Sequence, residues 1–250
     1  MMMFTCTIIE VSLGSQGVNT VEQTLKITNV LADPTRFYIY QYIIKKNEDV
    51  TVQEIAEEFE IHPNVARLHL TKLEDVNMLV SEAKKTGKGG RPSRLYRLSN
   101  DHIQINFPFR DYQLLSKIAI ETMATLGDVG RKALELTGRR FGEELVNHQI
   151  PVSIHELTFE QKLDILKKAS TVAGFYPDLD HNKDKTKIFL KINNCPFKEI
   201  AQENFEAVCG MHHAFLRGMF DLLFDDVVLE ESENIILGCN SCSYHAIVAK

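Results

Sequence analysis

The chain has 250 residues, 44% of them hydrophobic and 25% charged, and a formal net charge of −6. That length allows two domains with cores of their own, and the composition excludes a disordered or collagen-like chain. No apolar run approaches the roughly 18 residues of a membrane span. The first residues carry neither a basic region nor a small-residue cleavage site, so a cytoplasmic location is expected rather than export.

Residues 1–22 fit no element and are expected to form a poorly ordered lead-in. The next stretch, 23–105, reads as a winged helix-turn-helix. Asp33 caps a helix that Pro34 begins without losing a bond, and Leu31, Phe37, Ile39, Tyr40, Ile43 and Ile44 give an apolar face. Thr51 and Glu54 have the spacing of a capping box and open a second helix with Val52, Ile55, Ala56 and Phe59. After the short turn Glu60-Ile61-His62, Pro63 starts a third helix, with Val65, Leu68, Leu70 and Leu73 expected to point inward. Two short helices joined by such a turn place the second in the major groove of DNA.

On its exposed side are expected His62, Asn64, Arg67, His69, Thr71 and Lys72. Arg67 has the fork to read guanine and Asn64 the amide to read adenine, whereas Thr71 and Lys72 suit phosphate. Leu79–Ala83 and Leu95–Leu98 read as two strands around a glycine-rich basic tip, where Lys88, Arg91 and Arg94 supply charge to a wing. From His62 to Leu98 there are eight cations (Arg67, Lys72, Lys84, Lys85, Lys88, Arg91, Arg94, Arg97) and three acids (Glu74, Asp75, Glu82). This stretch is cationic in an otherwise acidic chain, and local charge decides where phosphates dock.

Residues 106–150 read as one or two helices for dimerisation or packing, with Leu114, Leu115, Ile118, Ile120, Met123 and Leu126 apolar. From 151 to 250 a small α/β domain is expected, making the whole chain α+β. A helix runs from Thr158 to about Ala173, Asp178–Thr186 is a polar hairpin tip, and Lys187–Ile192 alternates as a strand does. Helices follow up to Cys209 and from Met211 to Phe224. Short strands are then expected at Val227–Glu231, Ile235–Leu237 and Tyr244–Val248.

Four of the five cysteines fall in this last domain, with the spacing Cys195-x13-Cys209-x29-Cys239-x2-Cys242. Two thiols three apart on a tight turn form a metal knuckle, and Cys195 and Cys209 are placed to converge on it. Four thiolates suit both a [4Fe–4S] cluster and tetrahedral zinc, and His212 or His213 is an alternative ligand. Cys6 has no assigned role. A redox dithiol enzyme is not expected, because Cys242 leads into a strand rather than a helix, and no Ser/His/Asp constellation or phosphate loop is present.

Residues 31–98 resemble winged-helix regulators of the ArsR/MarR kind. The opening Leu31-Ala32-Asp33-Pro34-Thr35-Arg36 carries this likeness. Gly90-Arg91-Pro92-Ser93-Arg94-Leu95-Tyr96 resembles the wing of a subgroup that includes iron–sulfur-dependent repressors of cluster-assembly operons. Asn194-Cys195-Pro196-Phe197, Val208-Cys209-Gly210-Met211-His212-His213 and Cys239-Asn240-Ser241-Cys242-Ser243-Tyr244 extend the resemblance. It implies a homodimer on a near-palindromic operator in double-stranded DNA, with a cluster at the cysteines controlling binding. A regulator that senses a small molecule and holds a structural zinc is the alternative. Arg91→Ala is expected to weaken binding to every duplex and Arg67→Ala to relax preference at one base pair. Mobility-shift titrations check this, and unchanged binding in both variants would remove the module from that role.

Overall fold

The computed structural model describes residues 21–84, 93–100, 103, 105, 110–151 and 153–248. The first core gathers around helices α1 (Val21–Leu31), α2 (Pro34–Lys46), α3 (Val52–Glu58) and α4 (Pro63–Glu74). A small antiparallel sheet closes it, formed by β1 (Val50–Thr51), β2 (Leu79–Lys84) and β3 (Ser93–Leu98) in the order β1-β3-β2. Ile27, Ile39, Ile43, Ile55, Leu70, Leu73, Leu79 and Tyr96 are fully or almost fully buried there.

Local chemistry sets the boundaries. The Asp33 side chain accepts from the Arg36 amide at 3.0 Å, and Asn47 ends α2 in the left-handed region at φ 50°. Asparagine tolerates that conformation better than most residues. The Thr51 hydroxyl accepts from the Glu54 amide at 3.1 Å. Glu54 does not reach back to complete a capping box; its carboxylate takes the Tyr42 hydroxyl at 3.0 Å and the Lys46 ammonium. The charged partner offers the stronger bond.

The helix over Val21–Leu31 was not anticipated from the residues. It places Ile27 and Val30 in the first core. The inward face of α4 also differs from expectation. Ala66, His69, Leu70 and Leu73 are buried, while Val65 and Leu68 keep 41% and 55% of their surface exposed.

The centre of the chain forms α5 (Tyr112–Thr125) and α6 (Asp128–Asn147). None of the residues of α5 is buried. Beyond a 3-10 turn at Ile154–Glu156 come α7 (Phe159–Val172), β4 (Pro177–His181), β5 (Lys187–Ile192), α8 (Lys198–Glu203), α9 (Phe205–Leu223), β6 (Val228–Glu233) and β7 (Cys242–Ile247). The four strands form an antiparallel sheet in the order β4-β5-β7-β6. The buried side chains of α7 (Ile165, Leu166, Ala169) and of α9 (Leu216, Met219, Phe220, Leu223) share one core with those of the sheet (Ile188, Leu190, Tyr244, Ala246). Asp178–His181 is strand rather than hairpin tip, Ile235–Leu237 is a 3-10 turn rather than strand, and Cys209 lies inside α9.

Helices α6 and α9 meet backbone to backbone. A Cβ on Gly142 would fall 2.0 Å from the Phe215 carbonyl oxygen, and one on Gly218 would fall 2.0 Å from that of Arg139. Neither obstacle is a flexible side-chain end, so added volume forces the helices apart. Gly142→Ala is expected to destabilise this domain by about 3 kcal/mol. Urea unfolding of the full chain checks this, and an unchanged midpoint would contradict the close approach.

Candidate functional site

Two groups of residues are candidates. The first is the outer face of α4 and the ribbon after it. His62 is the N-cap of α4, its Nδ1 accepting from the Asn64 amide at 3.2 Å. Asn64, Arg67 and Lys72 are exposed and Thr71 is half-buried. His69 is the exception to the expected face. It is 7% exposed, turned toward Asp33 with Nδ1 4.0 Å from the carboxylate, and burial lowers its pKa. Arg36, one turn beyond Asp33, pairs with that same carboxylate at 3.5 Å and donates to the Val30 carbonyl at 2.8 Å.

Cations on the ribbon are held by neighbouring acids. Arg94 pairs with Glu74 at 3.3 Å and lies over the Tyr96 ring, and Arg97 pairs with Glu82 at 3.1 Å. Lys72 pairs with Asp75 at 3.5 Å. Exposed pairs of this kind cost little to exchange for a phosphate. Lys88 and Arg91, at the tip of the expected wing, lie outside the described residues.

The second group is the cysteines. Cys195 follows the end of β5, where the Asn193 and Asn194 amides both donate to the Phe175 carbonyl at 3.1 Å. The Asn194 side chain donates to the Gly174 carbonyl at 2.8 Å. Cys209 sits on α9, and Cys242 begins β7, where its Sγ accepts from the Ile235 amide at 3.4 Å. Cys195 and Cys242 are buried, Cys209 is partly buried and Cys239 is exposed.

These thiols are near enough to bias one another's ionisation: Cys195 is influenced by Cys242 and Cys209, and Cys242 by Cys209 and Cys239. Burial pushes Cys195 up to about 12 and Cys242 up to about 11, and also raises Cys209. Low-dielectric surroundings disfavour the thiolate unless a cation is supplied.

Glu231 was not singled out in the sequence, and it adjoins this group. One of its oxygens accepts from the Tyr244 hydroxyl at 3.0 Å and the Asn234 amide at 2.8 Å. Its charge raises both Cys209 and Cys242. Only the β6–β7 pairing, Glu231 opposite Tyr244, brings it there, and no local motif marks it.

Among the described residues, no three His, Cys, Asp or Glu side chains form a ready metal-holding group. Thiols are soft donors suited to a thiophilic metal or cluster, and Cys195, Cys209 and Cys242 come from three segments within electrostatic reach of one another. His213 Nε2 lies 3.3 Å from the Leu229 carbonyl oxygen and donates to it in the tautomer that carries the proton there. His212 is 3% exposed, its ring 5.0 Å from that of Phe175 and 5.3 Å from that of Phe197. Its Nε2 has no hydrogen-bond partner among the described residues.

The cysteine domain touches the end of α2. The Asn47 side-chain amide at the end of α2 donates to the Asn240 carbonyl, between Cys239 and Cys242. Tyr40 of α2 lies within electrostatic reach of Tyr176.

Residues 31–82 match a helix-turn-helix domain model, which spans α2 to α4 and enters β2. No curated protein matches the chain. Among solved structures, the chain is similar to a trafficking protein particle complex subunit 3 from Naegleria fowleri covalently bound to palmitic acid. Identity is 16% and the TM-score 0.35, over 55% of this chain and 97% of that one. It is also similar to the phenol-responsive sensory domain of the transcription activator PoxR with phenol, at 15% identity and a TM-score of 0.44, over 73% of this chain and 89% of that one. No helix among the described residues is long and apolar enough to cross a membrane.

Burial lowers the His212 pKa from 6.5 to about 4. A depressed folded-state pKa contributes stability above the unfolded value, which is lost as pH falls from 6.5 through about 4. The loss amounts to roughly 3 kcal/mol at most. His212→Phe keeps a ring and removes the titration, so its stability is expected to fall less steeply across that window. Denaturant titrations at a series of pH values decide this, and parallel profiles would count against the buried neutral imidazole.

Proposed function

We propose that this chain is a DNA-binding transcriptional regulator whose hold on its operator is controlled at Cys195, Cys209, Cys239 and Cys242. The observation that carries the DNA reading is the outer face of α4, which presents Asn64, Arg67 and Lys72 inside a matched helix-turn-helix domain. Recognition helices read base edges from their N-terminal turns while flanking cations hold phosphate. The first candidate for the bound group is an iron–sulfur cluster, with zinc the second. Such a group supplies positive charge that lets buried thiols exist as thiolates and ties their segments together.

Control is supported by the contact between the cysteine turn and α2. Fixing Cys239 and Cys242 fixes the Asn240 carbonyl between them, and Asn47 holds that carbonyl. Ile39 and Ile43 of α2 share the core of Leu70 and Leu73 of α4. A shift at the turn therefore has a packed route to the DNA-facing helix. We assign the outer surface of α5 to a second copy, because Tyr112, Leu115 and Ile118 are more than half exposed on a helix that buries none of its residues. A homodimer would set two α4 helices on one operator.

Anaerobic purification with metal analysis and a visible spectrum identifies the bound group, since a cluster is coloured and zinc is not. Duplex binding is then measured with and without it. The loaded and stripped chains are expected to differ about tenfold or more in affinity for a selected duplex, a coupling of ordinary size. Asn47→Ala is expected to keep metal and DNA binding and to lose most of that difference. Equal affinity of the loaded and stripped wild-type chain would overturn the control.

A further inference from the structure

We infer that Val65 and Leu68 recognise thymine methyl groups in the major groove, so that this chain selects A·T positions through apolar contacts in the middle of its DNA-facing helix. This rests on the DNA reading of α4 and adds to it a source of sequence preference.

The observation is the way α4 is turned. Its inward stripe is complete without Val65 and Leu68, since Ala66, Leu70 and Leu73 are fully buried and His69 nearly so. Val65 and Leu68 are left 41% and 55% exposed. On a helix, Val65, Leu68 and Lys72 follow one another at three- and four-residue steps and form one ridge. Asn64 and Arg67 lie beside that ridge and are exposed.

An apolar pair set among an amide, a guanidinium and an ammonium calls for a partner with apolar points among acceptors and anions. A hydrophobic protein groove would match the pair and offer nothing to the exposed Arg67 guanidinium beside it. The major groove matches both: each A·T pair presents the thymine C5-methyl next to adenine N7 and N6, with phosphates along the rim. Asn64 and Leu68 are four residues apart on one face of α4, so one A·T pair can give its adenine edge to the amide and its methyl to the leucine. Branching at Cβ restricts the Val65 rotamer, which fixes its methyls without ordering cost at binding.

The full-length protein selects duplexes from a random pool, and each thymine of the tightest one is then replaced by deoxyuridine, which removes only the methyl group. The wild-type chain is expected to lose about fourfold in affinity at each contacted thymine, the effect of burying about one methyl's worth of apolar surface. Leu68→Ala, at an exposed position, is expected to lose that sensitivity at one thymine and to keep it at the others. Loss of the same size in both proteins, or none at any thymine, overturns the assignment and leaves DNA binding standing. A chain that binds no duplex overturns both. Sedimentation of Leu68→Ala gives the remaining outcome: a changed oligomeric state with unchanged methyl sensitivity would make Leu68 a protein contact and overturn the inference.

Discussion

The burial of one face of α4 against the first core is the constraint from which the functional reading follows. Leu70 and Leu73 are fully buried, and Ala66 and His69 pack on the same side. Removing a buried leucine from such a position costs about 2–5 kcal/mol, so the helix cannot rotate without losing a large part of its domain's stability. Its outer residues are thereby fixed as well. A side chain that must be presented to a base within a few tenths of an ångström is best carried on an element whose other face is this tightly held.

The cysteines depend on a different kind of constraint. No single continuous motif sets all four; they come from the end of β5, the interior of α9, and the turn and first residue leading into β7. Pairing of β5 with β7, Ile192 opposite Cys242, brings two of these segments together. The glycine-mediated approach of α6 and α9 positions the helix that bears Cys209. Burial holds the Cys195 and Cys242 thiols neutral unless something cationic arrives, and the turn between Cys239 and Cys242 reaches α2 through Asn47. A short covalent and hydrogen-bonded route thus joins the cysteine turn to the end of α2.

Caps and alternation were legible in the residues because they are local. Asp33, Thr51 and Thr158 each bond the amide three residues on, and β5 alternates buried and exposed side chains along its length. The rotation of α4 was not legible. Val65 and Leu68 are apolar at helical spacing, as are Ala66, Leu70 and Leu73, and periodicity cannot choose between two stripes. His69 is buried beside Asp33 and Arg36, a tertiary arrangement without a local signal. β4 was hidden because Asp178 and Asp180 read as turn residues, although strand pairing with β5 leaves one face of that segment free for acids. Glu231 entered the cysteine group only through the register of β6 on β7.

The central claim is that the cationic face of α4 and its ribbon grips duplex DNA although the whole chain is anionic. The most direct measurement is the affinity of the full-length protein for a labelled duplex across a range of salt concentrations. Displacement of condensed counterions predicts that log K falls linearly with log salt, with a slope of about −3 or steeper for several phosphate contacts. Binding that ignores salt, or no binding even at low ionic strength, would contradict the account.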